Sequence, residues 1–184
     1  MSFVAIDFET ASRSPDSACA LGMVRFNETS FEDEFYTLIA PPDMYFEPFN
    51  ISIHGIHPED VKDAPDFAHL YESVIEFIGD SVVMAHNAGF DLGVLRALMQ
   101  RYNLRFPEYR YYCTWQLSRR LYPELPSRSL DALARRINFR FSHHNALEDA
   151  KACAAVFQTM VSEVAPMDIA SVMGCRKFIC TPEI

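Results

Sequence analysis

Two acids, Asp7 and Glu9, stand one residue apart at the end of the run Phe3-Val4-Ala5-Ile6-Asp7-Phe8-Glu9. Side chains on a β-strand alternate faces, so both carboxylates project to one side while Phe8 points to the other. Like charges this close repel unless a cation compensates them, and paired oxygen donors select hard ions such as Mg²⁺ or Mn²⁺. The spacing alone says little, because Glu32-x-Glu34 repeats it in a stretch that reads as a solvated strand face. The setting separates the two pairs: the first closes an apolar run typical of a strand buried on both faces. Two further clusters carry polar chemistry. Ala85-His86-Asn87-Ala88-Gly89-Phe90-Asp91 reads as a strand end, a turn and an acid opening a helix, where Asp91 alone could simply favour the helix dipole. His143-His144-Asn145-Ala146-Leu147-Glu148-Asp149-Ala150 stands at the entrance to the last helix, where polar residues also gather for capping.

The elements that must position these clusters follow from periodicity. Residues 2–9 read as a central strand, and β-rich stretches at Ala18–Phe26 and Phe31–Ile39, joined by Asn27-Glu28-Thr29-Ser30, complete an antiparallel meander. Pro41 to Pro65 is proline-rich without a sustained period, so a long irregular connection is expected there. Leu70, Val74, Phe77 and Ile78 mark a helix over Phe67–Ile78, closed by Gly79. A strand over Ser81–Ala85 and a helix carrying Leu92, Val94, Leu95, Leu98 and Met99, ending near Asn103, make a β-α step. A strand over Tyr109–Thr114, a short helix to Leu121, a helix from about Leu130 with Ser129 as its N-cap, and a helix from about Asn145 to Val164 follow. The tail 166–184 has no clear pattern.

Composition bounds the class. A chain of 184 residues that is 49% hydrophobic and 22% charged suits one folded domain and excludes disordered and collagen-like architectures. No apolar run reaches the ~18 residues of a membrane span and no basic leader opens the chain, so a cytoplasmic address without a membrane is expected. Five scattered cysteines without a C-x-x-C pair signal neither a disulfide framework nor a zinc site. The net charge of −9 is uneven: residues 1–90 hold 3 basic and 16 acidic groups, whereas residues 91–184 hold 13 and 9. Ten arginines fall between Arg96 and Arg140, and solvated helix faces are a simpler reading of them than a continuous phosphate track.

Taken together, Asp7-x-Glu9, Asn87 to Asp91 with its N-x-x-F-D spacing, and His144-x-Ala146-x-x-Asp149 resemble, in order and residue type, the three motifs of the DEDDh (DnaQ-like) 3′-to-5′ exonucleases. That group includes the proofreading subunit of bacterial DNA polymerase III, ribonuclease T and oligoribonuclease. The likeness extends over roughly residues 2–164 and takes in Gly22 and the Ile53-His54-Gly55-Ile56 turn. It departs at Thr10-Ala11-Ser12, where many members carry a glycine close behind the threonine, which bears on the nucleotide pocket rather than on the metal site.

The resemblance implies a ribonuclease-H-like α/β fold, a five-stranded mixed sheet of order 3-2-1-4-5 flanked by helices, with residues 1–165 as the exonuclease domain. It implies two Mg²⁺ or Mn²⁺ ions held by Asp7, Glu9, Asp91 and Asp149. His144, five positions before Asp149, is the general base in place of His143. Thr10, His54, Asn87 and Phe90 are the candidate contacts to the last nucleotide, although Phe90 reads more simply as core packing, and His54 and His86 as structural. The implied reaction removes nucleoside 5′-monophosphates from the 3′ end of single-stranded nucleic acid, DNA ahead of RNA. An RNA-directed enzyme of the oligoribonuclease or tRNA-trimming type, and a silent binding module, are the alternatives. A polymerase or repair partner and a homodimer are compatible with the same resemblance.

Overall fold

The computed structural model describes residues 2–105, 108–164 and 176–178. The first three strands, β1 (Phe3–Thr10), β2 (Ala18–Phe26) and β3 (Phe31–Leu38), form the expected antiparallel meander. Next come two short helices, α1 (Pro48–His54) and α2 (Pro58–Val61), then α3 (Phe67–Ile78), β4 (Val82–Ala85), α4 (Gly89–Arg101) and β5 (Tyr109–Cys113). Three helices follow, α5 (Thr114–Leu121), α6 (Leu130–Arg136) and α7 (Ala146–Val164), and then a last strand, β6 (Arg176–Phe178). The sheet order is β3-β2-β1-β4-β5-β6, which contains the expected 3-2-1-4-5 arrangement. Residues 176–178 of the tail add a sixth strand, antiparallel to β5; the rest of 166–184 lies outside the described residues.

Period two on β1 divides the core. Val4, Ile6 and Phe8 pack on one face with Val74, Phe77 and Ile78 of α3 and Leu95 and Leu98 of α4. Phe3 and Ala5 pack on the other with Phe157 and Met160 of α7 and Leu133 of α6. Asp7 and Glu9 share the parity of Phe3 and Ala5, so both face α7. β4 runs parallel to β1, with Ala5 opposite Met84, so their C-terminal ends open at the same edge of the sheet. In open α/β sheets that edge is where ligand sites form.

The connection between Pro41 and Pro65 is not wholly irregular. Pro48 pre-sets the first turn of α1, and Gly55, at φ 72°, closes it in the left-handed region. No residue of α1 is buried, so the helix leaves no apolar period by which to be recognised.

Gly22 sets the position of α7. It pairs with Asp7 across the β1–β2 ladder, and a Cβ built on it would meet the Ala146 carbonyl carbon at 2.2 Å and the Leu147 nitrogen at 2.3 Å. Those are backbone atoms of the first turn of α7, which no rotamer change can move. Gly22→Ala should therefore push α7, and Asp149 with it, away from β1. A thermal melt should show a loss of about 1–3 kcal/mol or more, typical of overpacking, together with loss of nuclease activity. Wild-type melting and activity would contradict this packing.

Candidate active site

Each acid is placed by its own element. Asp7 and Glu9 leave β1 on the α7 face. Asp149 sits in the first turn of α7, capped by Asn145, whose Oδ1 accepts the Glu148 N–H at 3.1 Å and whose carbonyl accepts the Asp149 N–H at 2.8 Å. One oxygen each from Asp7, Glu9 and Asp149 lies within 4.8 Å of the other two. Asp91 stands behind this trio on α4, 1% exposed, its Oδ1 accepting the Phe8 backbone N–H at 3.1 Å. The β1 backbone between Asp7 and Glu9 is thus tied to the fourth acid.

The electrostatics record the crowding. Burial first, then Asp91, Asp149 and Glu9, raise Asp7 well above the usual carboxylate range. Burial and the charges of Asp149 and Asp91 push Glu9 up to about 8. Burial raises Asp91 to about 7 against the opposing hydrogen bond from Phe8. Burial also raises Asp149, offset by His143, whose Nδ1 lies 2.7 Å from Asp149 Oδ1. The second oxygen, Asp149 Oδ2, is buried and has no hydrogen-bond partner. A buried carboxylate oxygen without a partner is costly, and a cation is the group that would satisfy it. Hard oxygen donors with excess negative charge fit Mg²⁺ or Mn²⁺, so these residues suit a divalent ion.

The trio opens into a cavity of about 410 Å³. Its walls include Thr10, Asn50, Ile53, His54, Phe90, Ser129 and both His143 and His144. His144 takes a left-handed backbone (φ 65°) just before the α7 cap, and its ring stacks on His143 at 3.9 Å between centroids. Burial, and then the neighbouring His143, lower its pKa, so the ring is neutral and able to accept a proton.

The expected substrate residues divide. Thr10 and Phe90 line the cavity, and Phe90 is 47% exposed, not core as its type alone indicates. The helix α4 begins at Gly89, which carries Phe90 outward in the first turn while Asp91 turns inward. His54 also lines the cavity, but its ring is engaged with Thr10 and Ile56. Asn87 is not among the lining residues; it is an exposed turn residue at φ 61° whose carbonyl accepts the Phe90 N–H at 2.9 Å. Asn50, which donates to the Thr10 carbonyl at 2.8 Å, and Ser129, confirmed as the α6 cap, line the cavity without any sequence signal marking them for it. Several arginines of the 96–140 stretch are engaged by neighbouring groups of the chain, Arg135 and Arg136 on the exposed side of α6. Arg135 pairs with Asp131 at 2.5 Å, Arg136 stacks on Tyr122 at 4.6 Å, and Arg128 donates to the Tyr122 and Pro123 carbonyls.

A family model of the RNase T type, described as exonuclease, matches residues 4–157. A Mycobacterium tuberculosis protein named as a bifunctional exonuclease/endonuclease is 32% identical over 96% of the chain, which spans 29% of that protein's length. The PolC-type DNA polymerase III of Caldanaerobacter subterraneus is 31% identical over 99% of the chain, which spans 13% of it. A solved structure of exonuclease X in complex with 5′ overhanging duplex DNA superposes with a TM-score of 0.74 at 25% identity, covering 92% of this chain and 98% of that one. Among the described residues, no helix is long and apolar enough to cross a membrane.

The raised carboxylates have a consequence for stability. Glu9 and Asp91 keep protons in the folded state that the unfolded chain has already released, so their ionisation opposes folding. Their contribution is intact below the ordinary carboxylate range and is lost as pH rises through about 7 to about 8. His86, lowered to about 4 by burial, acts oppositely, costing stability only below about 6.5. The melting temperature of the chelated protein should therefore fall between about pH 6.5 and about pH 8.5, and Mg²⁺ or Mn²⁺ should raise it most at the alkaline end. A flat profile in chelator, with no metal effect, would contradict the charge crowding.

Proposed function

The chain belongs to the RNase T-type, DEDDh exonuclease family, and on that premise we propose that it removes nucleotides from the 3′ end of single-stranded nucleic acid, DNA ahead of RNA, with divalent metal ions. The observation that carries the reading is the convergence of three carboxylates at a cavity, one with a buried oxygen that nothing in the described protein satisfies. Asp7, Glu9 and Asp149, with Asp91 behind them, are the proposed holders of two Mg²⁺ or Mn²⁺ ions. When bound, such ions supply charge neutralisation at the phosphate and activate water.

The remaining roles fall to the chain's own groups. His144, neutral and on the cavity wall, takes the proton from the attacking water, a contribution typically worth about 10²–10⁴ in rate. Phe90 and Ile53, both more than a third exposed within the cavity wall, offer apolar surface to the terminal base, and Thr10 lies beside the carboxylates. The cavity's volume falls within the roughly 300–1,000 Å³ of small-ligand sites, enough for a terminal nucleotide. Residues 1–165 form the proposed catalytic unit. The DNA preference is supported by the PolC-type relative and by the exonuclease X structure, which contains DNA. The same relatives support a polymerase or repair partner. One observation favours a second base: the His143–Asp149 contact places the other imidazole against a proposed ligand.

A time course on 5′-labelled single-stranded DNA and RNA of one sequence tests this reading. Wild-type protein with Mg²⁺ or Mn²⁺ should give a ladder shortening from the 3′ end, silenced by chelator and by Asp7→Ala or Asp149→Ala. His144→Ala should lower kcat by about 10²-fold or more with metal affinity retained. Unchanged turnover in His144→Ala, with loss in His143→Ala, would move the base to His143. Cleavage in chelator would defeat the metal-dependent mechanism.

A further inference from the structure

The cavity holds two histidines beyond His143 and His144, namely His54 and His86, and both rings contact other groups of the chain. His54 Nδ1 accepts the Ile56 N–H at 3.0 Å, which leaves the proton on Nε2, 3.2 Å from the Thr10 carbonyl. Asn50 donates to that same carbonyl at 2.8 Å. Through two side chains, then, α1 is fastened to the backbone immediately after Glu9, and Ile53, between them in sequence, stands in the cavity wall.

His86 repeats the arrangement on the opposite side. Its Nδ1 lies 2.9 Å from Thr114 Oγ1, and its ring also bonds the Arg128 backbone carbonyl. The tautomer with its proton on Nε2 lets the ring donate to that carbonyl while Nδ1 takes the Thr114 hydroxyl proton. Thr114 Oγ1 is in turn 3.6 Å from Cys153 Sγ, one helical turn beyond Asp149 on α7. Thr114, at the middle of this chain of contacts, is fully buried. These contacts tie the Ser129–Leu130 wall, just past Arg128, to the first residue of α5 and to α7. Burial disfavours the charged form of both rings.

We propose that His54 and His86 are a pair of braces that fix the spacing between the α1 wall and the Ser129–Leu130 wall, and thereby set affinity for the terminal nucleotide without taking part in bond cleavage. The proposal rests on reading the cavity as the nucleotide site. His54 is on this account a positioning residue rather than a substrate contact.

The test compares His54→Ala and His86→Ala with the Gln and Asn variants at each position in the full chain. The Ala variants should raise KM for a 5′-labelled single-stranded oligonucleotide about tenfold while kcat stays within about twofold, the pattern of lost uniform binding. Gln places an N–H where Nε2–H was and should restore KM to within about threefold, whereas the shorter Asn should behave like Ala. Binding of dAMP by equilibrium dialysis should follow the same order. A fall in kcat at unchanged KM, or Gln no better than Asn, would overturn the braces, and the Gln–Asn contrast stands even where the Ala variants do not fold. Ring ¹⁵N NMR reads the braces without cleavage: both should be neutral Nε2–H tautomers at neutral pH. A charged or Nδ1–H ring would overturn them. Both rings as expected in a protein that cuts nothing would support the braces and count against the exonuclease reading instead.

Discussion

Mutual repulsion among crowded, largely buried carboxylates is the constraint on which the rest of the structure depends. Asp7, Glu9 and Asp149 bring an oxygen each to within 4.8 Å, and Asp91 adds a fourth charge from behind. Without a compensating ion the cluster holds protons well above the ordinary carboxylate range. Such an arrangement opposes folding, so the surrounding architecture must hold it in place. The cost is offset by a core on each face of the sheet.

The architecture answers that demand with backbone. β1 is paired on both sides through Ala5, and at Asp7 and Glu9 it is held by β2, opposite Gly22 and Ala20. Gly22 lets the first turn of α7 lie directly on β2, which brings Asp149 to the pair. The N–H of Phe8 fixes Asp91 without using a side chain. The metal-facing atoms are therefore positioned by elements whose stability comes from elsewhere, which is how a site of this charge can be pre-organised before ions or substrate arrive.

Much of this was legible in the residues, because buried elements carry a period. β2 and α3 fall where the apolar pattern places them, the end of α5 lies at Leu121 as read, and α6 starts after its Ser129 cap. α1 escaped because none of its residues is fully buried. Phe90 misled for the converse reason: an aromatic residue is ordinarily core, and only the helix phase beginning at Gly89 turns it outward. Composition could not separate the four acids either. Asp7, Glu9 and Asp149 form the close trio while Asp91 spends an oxygen on backbone, a distinction that exists only once β1 and α4 are packed. Nor could it show that the rings of His54 and His86 are engaged, because their partners lie on other elements, up to 44 residues away.

The most direct test of the central claim is the proton balance of metal binding. Calorimetric titration of Mn²⁺ into the metal-free chain at neutral pH, in buffers of different ionisation enthalpy, counts the protons released per ion bound. Because Glu9 and Asp7 hold protons that a cation must displace, the account predicts release of about one proton or more per protein, falling off above about pH 8 and abolished by Asp7→Ala. Binding with no proton release at neutral pH, or no binding at all, would contradict it.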